Sequence, residues 1–78
     1  MTSSPSRRLN PRKLTLSKWT AATVVNRERH FLVVKLVEPE PPEASIVWIE
    51  MEAVVTRRRF ILPWRALLDG SIWLHGWL

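Results

Sequence analysis

Two apolar stretches decide the fold: HFLVVKLV at residues 30–37 and VWIEMEAVVT at residues 47–56. The first is apolar on both faces except at Lys35, which is typical of a central strand. The second alternates, and its apolar side chains fall on one face, which we expect to be the core side: Val47, Ile49, Met51, Ala53 and Val55. We expect Glu50 and Glu52 to lie in solvent on the other face, beside Trp48.

Weaker patterns on either side complete the predicted sheet. A first strand is expected to begin near Leu14 and to continue to Val25, and NRER at residues 26–29 is a polar break. EPEPPE at residues 38–43 predicts a loop, because proline cannot donate a ladder hydrogen bond. RRR at residues 57–59 is expected to tip a hairpin that returns through FIL at residues 60–62.

The C-terminal residues are predicted to be helical. Pro63 fits the first position of a helical turn that runs to Leu68, and Gly70 fits the position after its end. Ser71 fits the cap of a last turn that carries Trp73 and Trp77 on one face.

These patterns predict a mainly β fold, a small four-strand antiparallel meander with a short C-terminal helical segment. An SH3-like open barrel fits the order of the elements, and a flat sheet covered by the C-terminal turn is the alternative. Residues 14–78 are expected to form a single domain. Residues 1–13 are expected to be a basic disordered arm, because they hold two prolines and too little apolar surface to offset the entropy of ordering.

The composition limits both the stability and the class of the protein. A chain of 78 residues without cysteine has room for one core and has neither a disulfide nor a thiolate metal site. Buried apolar surface must supply the stability, and five tryptophans offer it. No apolar stretch approaches the roughly 18 residues that span a membrane, so we expect a cytoplasmic protein without a membrane partner.

Catalysis by this chain is not expected. Asp69, Ser71 and His75 have the residue types of a hydrolytic triad, but triad members usually come from distant positions on a rigid scaffold. Two histidines without cysteine do not make a zinc set, and two glycines cannot build a phosphate-binding loop. We therefore predict no enzyme activity, no metal and no cofactor.

Two basic clusters, rather than the net charge of +5 as such, favour a nucleic-acid partner, with RNA favoured over duplex DNA. Four of the charges lie in the arm, at Arg7, Arg8, Arg12 and Lys13, while the rest of the chain is nearly neutral. The tip residues Arg57, Arg58 and Arg59 form the second basic cluster. Basic residues neutralise phosphates, and Trp48 and Trp19 are the candidates for stacking on unpaired bases.

The alternative function is a protein-interaction or assembly-accessory module that binds a peptide or partner protein on an aromatic groove. Exposed Trp48 and Trp19 beside the tip arginines would favour base stacking, whereas an apolar groove away from the arginines would favour a peptide partner. We expect Trp64, Trp73 and Trp77 to form a structural cluster that folds back on the sheet. The sequence does not indicate an oligomeric state.

Six short motifs resemble a family of short tryptophan-rich bacterial proteins of unknown function. They are NPRKL at 10–14, SKWTA at 17–21, ERHF at 28–31, EAV at 52–54, WRAL at 64–67 with Asp69, and Trp73 followed by GW at 76–77. A proline is common in that family at the position of Val24, and Trp48 is outside the shared pattern. The resemblance therefore implies that Trp48 is particular to this protein, and it implies no reaction or ligand.

Overall fold

The computed structural model describes residues 8–41 and 45–78, which form one five-stranded antiparallel sheet. The strands are β1 (Lys18–Val25), β2 (Glu28–Leu36), β3 (Trp48–Ala53), β4 (Arg59–Pro63) and β5 (Trp73–His75). Their order across the sheet is β4-β3-β2-β1-β5. The prediction of a mainly β fold is confirmed. The part of the predicted arm at residues 1–7 lies outside the described residues.

The sheet is open and does not close into a barrel. Strands β1 to β4 follow each other as a meander, and β5 returns to pair with β1. This leaves β4 and β5 as two separate edges. The SH3-like barrel is not confirmed, and the arrangement is closer to the alternative of a sheet covered on one side.

The predicted four-strand count was wrong because residues 73–75 form a strand rather than a last helical turn. In β5, Trp73 lies opposite Ala21 and His75 lies opposite Trp19. Gly76 then turns the chain with a φ of 91°, in the left-handed region that favours glycine. Trp73 and Trp77 therefore do not share a helical face.

The β1–β2 hairpin has a shorter turn than the polar break predicts. Asn26 and Arg27 alone form it, with φ values of 56° and 64°, as a two-residue turn of the I′ type requires. Glu28 already belongs to β2 and pairs with Val25. At the other end of β1, Leu16 has a φ of 70°, so the strand begins at Lys18 and not near Leu14.

One face of the sheet, here called the covered face, carries the core. Trp19, Val33, Ile49, Met51 and Ala53 are fully buried there. Three of the five apolar positions predicted on β3 are thus confirmed. Val47 and Val55 are instead 50 % and 68 % exposed, because they lie beyond the two ends of β3 and leave its alternation.

Two short 3₁₀ helices flank the strands. Trp64–Leu68 follows Pro63, which confirms the predicted helical turn, and its Leu67 is fully buried in the core. Gly70 has no left-handed φ, and the turn ends with Asp69 N donating to Ala66 O.

The other 3₁₀ helix lies inside the predicted arm. It comprises Pro11–Lys13 and begins at Asn10, whose side chain accepts a hydrogen bond from Arg12 N. Leu14, directly after it, is buried in the core, and Leu9, before it, packs against the core. Residues 9–14 are therefore attached to the domain. Disorder of the arm as a whole stays a prediction.

Candidate functional site

The side of the sheet opposite the core is here called the open face. Strand pairing fixes its members, because side chains directly opposite one another share a face. Lys18 pairs with Leu32, Leu32 with Glu52, and Glu52 with Arg59. The same alternation places on this face Thr20, His30, Lys35, Trp48, Glu50, Ile61 and Leu74.

Two half-exposed tryptophans lie on the open face. Trp48, on β3, is 47 % exposed, and Trp77, beside the C-terminus, is 42 % exposed. The Trp77 ring stacks on His30, with ring centroids 5.8 Å apart, and Lys18 Nζ lies 4.9 Å from its centroid. Trp48 lies on the face opposite the core, as the alternation of β3 predicts, and Trp77 is a second candidate, which the sequence analysis assigned to the structural cluster with Trp64 and Trp73.

Hydrogen bonds hold the last three residues across the open face. Trp77 Nε1 donates to Phe31 O at 2.9 Å. Thr20 Oγ1 donates to Gly76 O at 2.6 Å and accepts from Leu78 N at 3.1 Å. Because these bonds reach both β1 and β2, the segment that carries Trp77 is held in place by two strands.

A layer of cations covers the two glutamates of β3. Arg59 Nε donates to Glu52 Oε1 at 2.8 Å, and Arg57 Nη1 lies 3.6 Å from Glu52 Oε2. Glu50 lies 3.9 Å from Lys35 Nζ and 4.0 Å from Arg59 Nη1. The expectation that both carboxylates lie in solvent was wrong, since Glu52 is only 9 % exposed. Three cations against two carboxylates, together with Lys18, leave the open face with an excess of positive charge.

The three tip arginines do not form one cluster. Arg57 and Arg59 bind Glu52 on the open face. Arg58 turns the other way, lies 4.7 Å from the centroid of Phe60 and binds Glu28. Arg59 begins β4 and Arg58 directly precedes it, so their side chains alternate in direction, whereas Arg57 lies in the turn with a left-handed φ of 64°.

Glu28 is a buried carboxylate that the sequence analysis placed in a polar turn. It accepts hydrogen bonds from Arg58 Nε and Nη2, the shortest at 2.6 Å, and from Thr56 Oγ1 at 2.6 Å. These bonds, those of Arg58 first, lower the pKa of Glu28 from 4.5 to about 2. The same pairing with Glu28 raises the pKa of Arg58. The group ties the β1–β2 hairpin to the β3–β4 hairpin.

Next to this ion pair lies a cavity of about 370 Å³, here called the hairpin groove. Phe31, Phe60 and Trp73 supply its aromatic lining, with Phe31 edge-on to Trp73 at 5.0 Å and to Phe60 at 5.9 Å. Val25 and Ile72 line it as well and are 60 % and 53 % exposed. Such a cavity lies at the small end of the range for ligand pockets.

The remaining residues that were predicted to bind nucleic acid do not lie on the open face or are not described by the structure. Trp19 is fully buried, and its Nε1 donates to Ser17 Oγ, so its ring cannot stack on a base. Arg12 pairs with Glu38 at 3.1 Å beside the 3₁₀ helix that precedes Leu14. Arg8 and Lys13 are exposed at the same end of the chain, and Arg7 lies outside the described residues.

The predicted tryptophan cluster is divided by the sheet. Trp73 is 8 % exposed and belongs to the core, and Trp64 packs against that core from its 3₁₀ helix. Trp77 lies on the open face instead. Its separation from Trp73 follows from the strand at residues 73–75 and the turn at Gly76.

The described residues give no metal site and no membrane span. Within residues 8–41 and 45–78, the His, Asp and Glu side chains form no group of three that could hold a metal ion. Over the same residues, no helix has the length and apolar character to cross a bilayer. Asp69 Oδ1 accepts hydrogen bonds from the backbone N and the Oγ of Ser71, so this carboxylate caps a turn.

Comparison with known proteins identifies a family but no function. No curated protein and no solved structure matches the chain. The family described as tryptophan-rich protein, a domain of unknown function with the family name DUF2389, matches residues 17–78. That range covers well over half of the chain and includes every strand of the sheet. The chain belongs to this tryptophan-rich protein family.

Proposed function

We propose that the domain binds single-stranded nucleic acid, with RNA as the candidate ligand, on the open face. The observation that carries the proposal is the pair of half-exposed tryptophans on a sheet face with an excess of cations. Indole rings stack on unpaired bases of any sequence, and cations beside them neutralise the phosphates. Strand spacing places Trp48 and Trp77 roughly 15–20 Å apart, so they would hold two separate bases.

Cations around the two rings support the same ligand. Lys18 lies over Trp77, and Lys35, Arg57 and Arg59 pair with the two glutamates of β3, the strand that carries Trp48. The side chains of Lys35, Arg57 and Arg59 are 65 %, 82 % and 58 % exposed, which leaves donors for phosphate oxygens. A duplex keeps its bases stacked inside, so the two rings favour a single strand.

The test is fluorescence anisotropy with a labelled twelve-nucleotide uridine strand, a thymidine strand of equal length and the corresponding duplex. Trp48→Ala should weaken binding of the single strand by about 5- to 150-fold, which corresponds to one stacked base. Val47→Ala is the matched control, because Val47 is 50 % exposed and lies outside β3, directly before its first residue. Equal affinity of the two variants, or no binding of any single strand at low salt, would overturn the proposal.

A protein-interaction module is the second candidate function, and the hairpin groove favours it. The groove combines an aromatic lining with exposed apolar side chains, as peptide-binding sites do. A pulldown from native lysate with and without nuclease distinguishes the two. Nuclease should release the partners of a nucleic-acid-binding protein and should leave those of a peptide-binding module in place.

A further inference from the structure

The hairpin groove has one cationic group with unused hydrogen-bonding capacity. Arg58 lines the groove and uses Nε and Nη2 to bind Glu28. No hydrogen bond among the described residues uses its Nη1 atom, and the side chain is 54 % exposed. The Nη1 group can therefore donate to a ligand without breaking the contact with Glu28.

The ion pair presents its positive side to the groove. The Glu28 side chain is only 6 % exposed, and both of its carboxylate oxygens already accept hydrogen bonds from Arg58 or Thr56. Glu28 lines the groove together with Arg58, but its oxygens are occupied, so the unused hydrogen-bonding group that a ligand meets there is the guanidinium. Charge-assisted hydrogen bonds to a guanidinium favour a carboxylate over a neutral acceptor.

Beside the guanidinium, the groove offers space for one apolar side chain. Phe31, Phe60 and Trp73 line about 370 Å³ with aromatic surface, which suits an aromatic or large aliphatic group. Val25 and Ile72 stay exposed at the rim. A free amino acid in the groove would leave this rim uncovered, whereas the residues that precede the last one of a peptide would cover it.

We propose that the hairpin groove binds the C-terminal residue of a peptide, with its apolar side chain on the aromatic lining and its carboxylate on Arg58. This inference gives the protein-interaction candidate a ligand of defined chemistry. It is independent of RNA binding, because the groove and the two exposed tryptophans lie on opposite faces of the sheet.

The experiment is an NMR titration of the full chain with acetyl-Ala-Ala-Phe that has a free carboxylate. The C-terminally amidated peptide and acetyl-Phe are the two comparison ligands. We expect saturable shifts at Thr23, Val25, Ile72 and the Trp73 indole, with a dissociation constant of roughly 1 mM or below. The amide should bind at least about tenfold more weakly, because it lacks the charged acceptor.

A pair of variants on β1 locates the site. Thr23 lines the groove, so Thr23→Trp should obstruct it and abolish the shifts. Val24→Trp is the control, because Val24 is exposed and does not line the groove. An unchanged amide spectrum in the absence of ligand shows that each variant is folded.

Four results would overturn the proposal. Equal affinity for the free acid and the amidated peptide would mean that the peptide carboxylate is not recognised. Equal affinity for acetyl-Phe and the tripeptide would assign the groove to a small molecule. Absence of saturable shifts at the groove, or equal binding by the Thr23→Trp variant, would mean that the groove is not the site.

Discussion

Glu28 and Arg58 show how one residue pair links two distant hairpins. Both lie in runs of charged residues that, in the sequence alone, indicate solvated turns. The structure buries the Glu28 carboxylate and satisfies it with Arg58 and Thr56. A buried carboxylate is costly without such partners, and removal of one partner leaves the other uncompensated.

The low pKa of Glu28 predicts a pH-dependent stability. A carboxyl group with a pKa lowered from 4.5 to about 2 stabilises the fold fully above 4.5, and the contribution is lost as the pH falls toward 2. Urea unfolding of the wild-type protein should therefore show a free energy of unfolding that declines across this window. The Glu28→Gln variant should be less stable at pH 7 and should decline less.

The control for this titration is Glu38→Gln, which removes an exposed carboxylate paired with Arg12. Exposed ion pairs contribute little, so this variant should follow the wild-type profile. If Glu28→Gln and Glu38→Gln gave the same pH profile, the Glu28–Arg58 pair would not carry the stability assigned to it.

The register of β3 predicts a clear ranking of two substitutions. Met51 is fully buried, so Met51→Ala should lower the free energy of unfolding by about 2–5 kcal/mol. Val55→Ala should change it by about 0.5 kcal/mol or less, because Val55 is 68 % exposed. Denaturant unfolding measures both, and the reverse ranking would contradict the burial of Met51 and the end of β3 at Ala53.

At the scale of elements, β5 and the three residues after it have different roles. Trp73 belongs to the core, whereas Trp77 is fixed on the open face by one hydrogen bond and two ring contacts. Trp73→Ala should therefore cost about 3–5 kcal/mol of stability. Trp77→Ala should cost about 1–2 kcal/mol and should weaken RNA binding.

Thermal and urea unfolding, together with the anisotropy assay, separate these two roles. A Trp73→Ala variant that remains folded should keep its affinity for the single strand. Equal losses of stability in both variants would contradict the division of the C-terminal segment into a core strand and an open-face segment.

The sequence predicted the central elements better than the terminal ones, for physical reasons. Ile49, Met51 and Ala53 alternate in a strand long enough to determine its register, and the burial of all three is confirmed. Residues 73–75 are too few to show a period, and their pairing with β1 depends on tertiary contacts. The turn at Asn26 lacks glycine, so its two left-handed residues gave no strong signal.

The candidate site was predicted in part. In the alternation of β3, Trp48 shares a face with Glu50, and this was enough to place Trp48 opposite the core. Trp19 is buried because it lies on the covered face, and Trp77 is exposed because it lies on the open face. The pairing of β1 with β2 and β5 determines these positions, and the sequence alone does not show that pairing. The opposite directions of Arg58 and Arg59 follow from strand alternation and could have been anticipated, whereas the left-handed turn residue Arg57 gave no signal in the sequence.

At the scale of the whole molecule, the charges around the proposed RNA site are unevenly distributed. Arg57 and Arg59 lie on the open face, whereas Arg12 and Lys13 lie in the 3₁₀ helix that precedes the core residue Leu14. Each phosphate contact contributes roughly 0.7 to the slope of log K against log salt for a single strand. Replacing Arg57 and Arg59 with serine should therefore flatten that slope by about 1.4.

Anisotropy titrations at several salt concentrations measure this slope. The control is the double replacement of Arg12 and Lys13 with serine, which should leave it unchanged. A slope that responds to the Arg12 and Lys13 replacements and not to those of Arg57 and Arg59 would move the phosphate contacts from the open face to the N-terminal segment.

The five tryptophan indoles provide the most direct test of the central claim, that the open face binds single-stranded nucleic acid. Each gives one Nε1–H signal in an NMR titration with a uridine strand. Trp48 and Trp77 are predicted to shift and saturate together, while the signals of the buried Trp19 and Trp73 stay in place. Shifts confined to Trp19, Trp64 or Trp73, or no shift of Trp48 and Trp77 at saturating RNA, would contradict it.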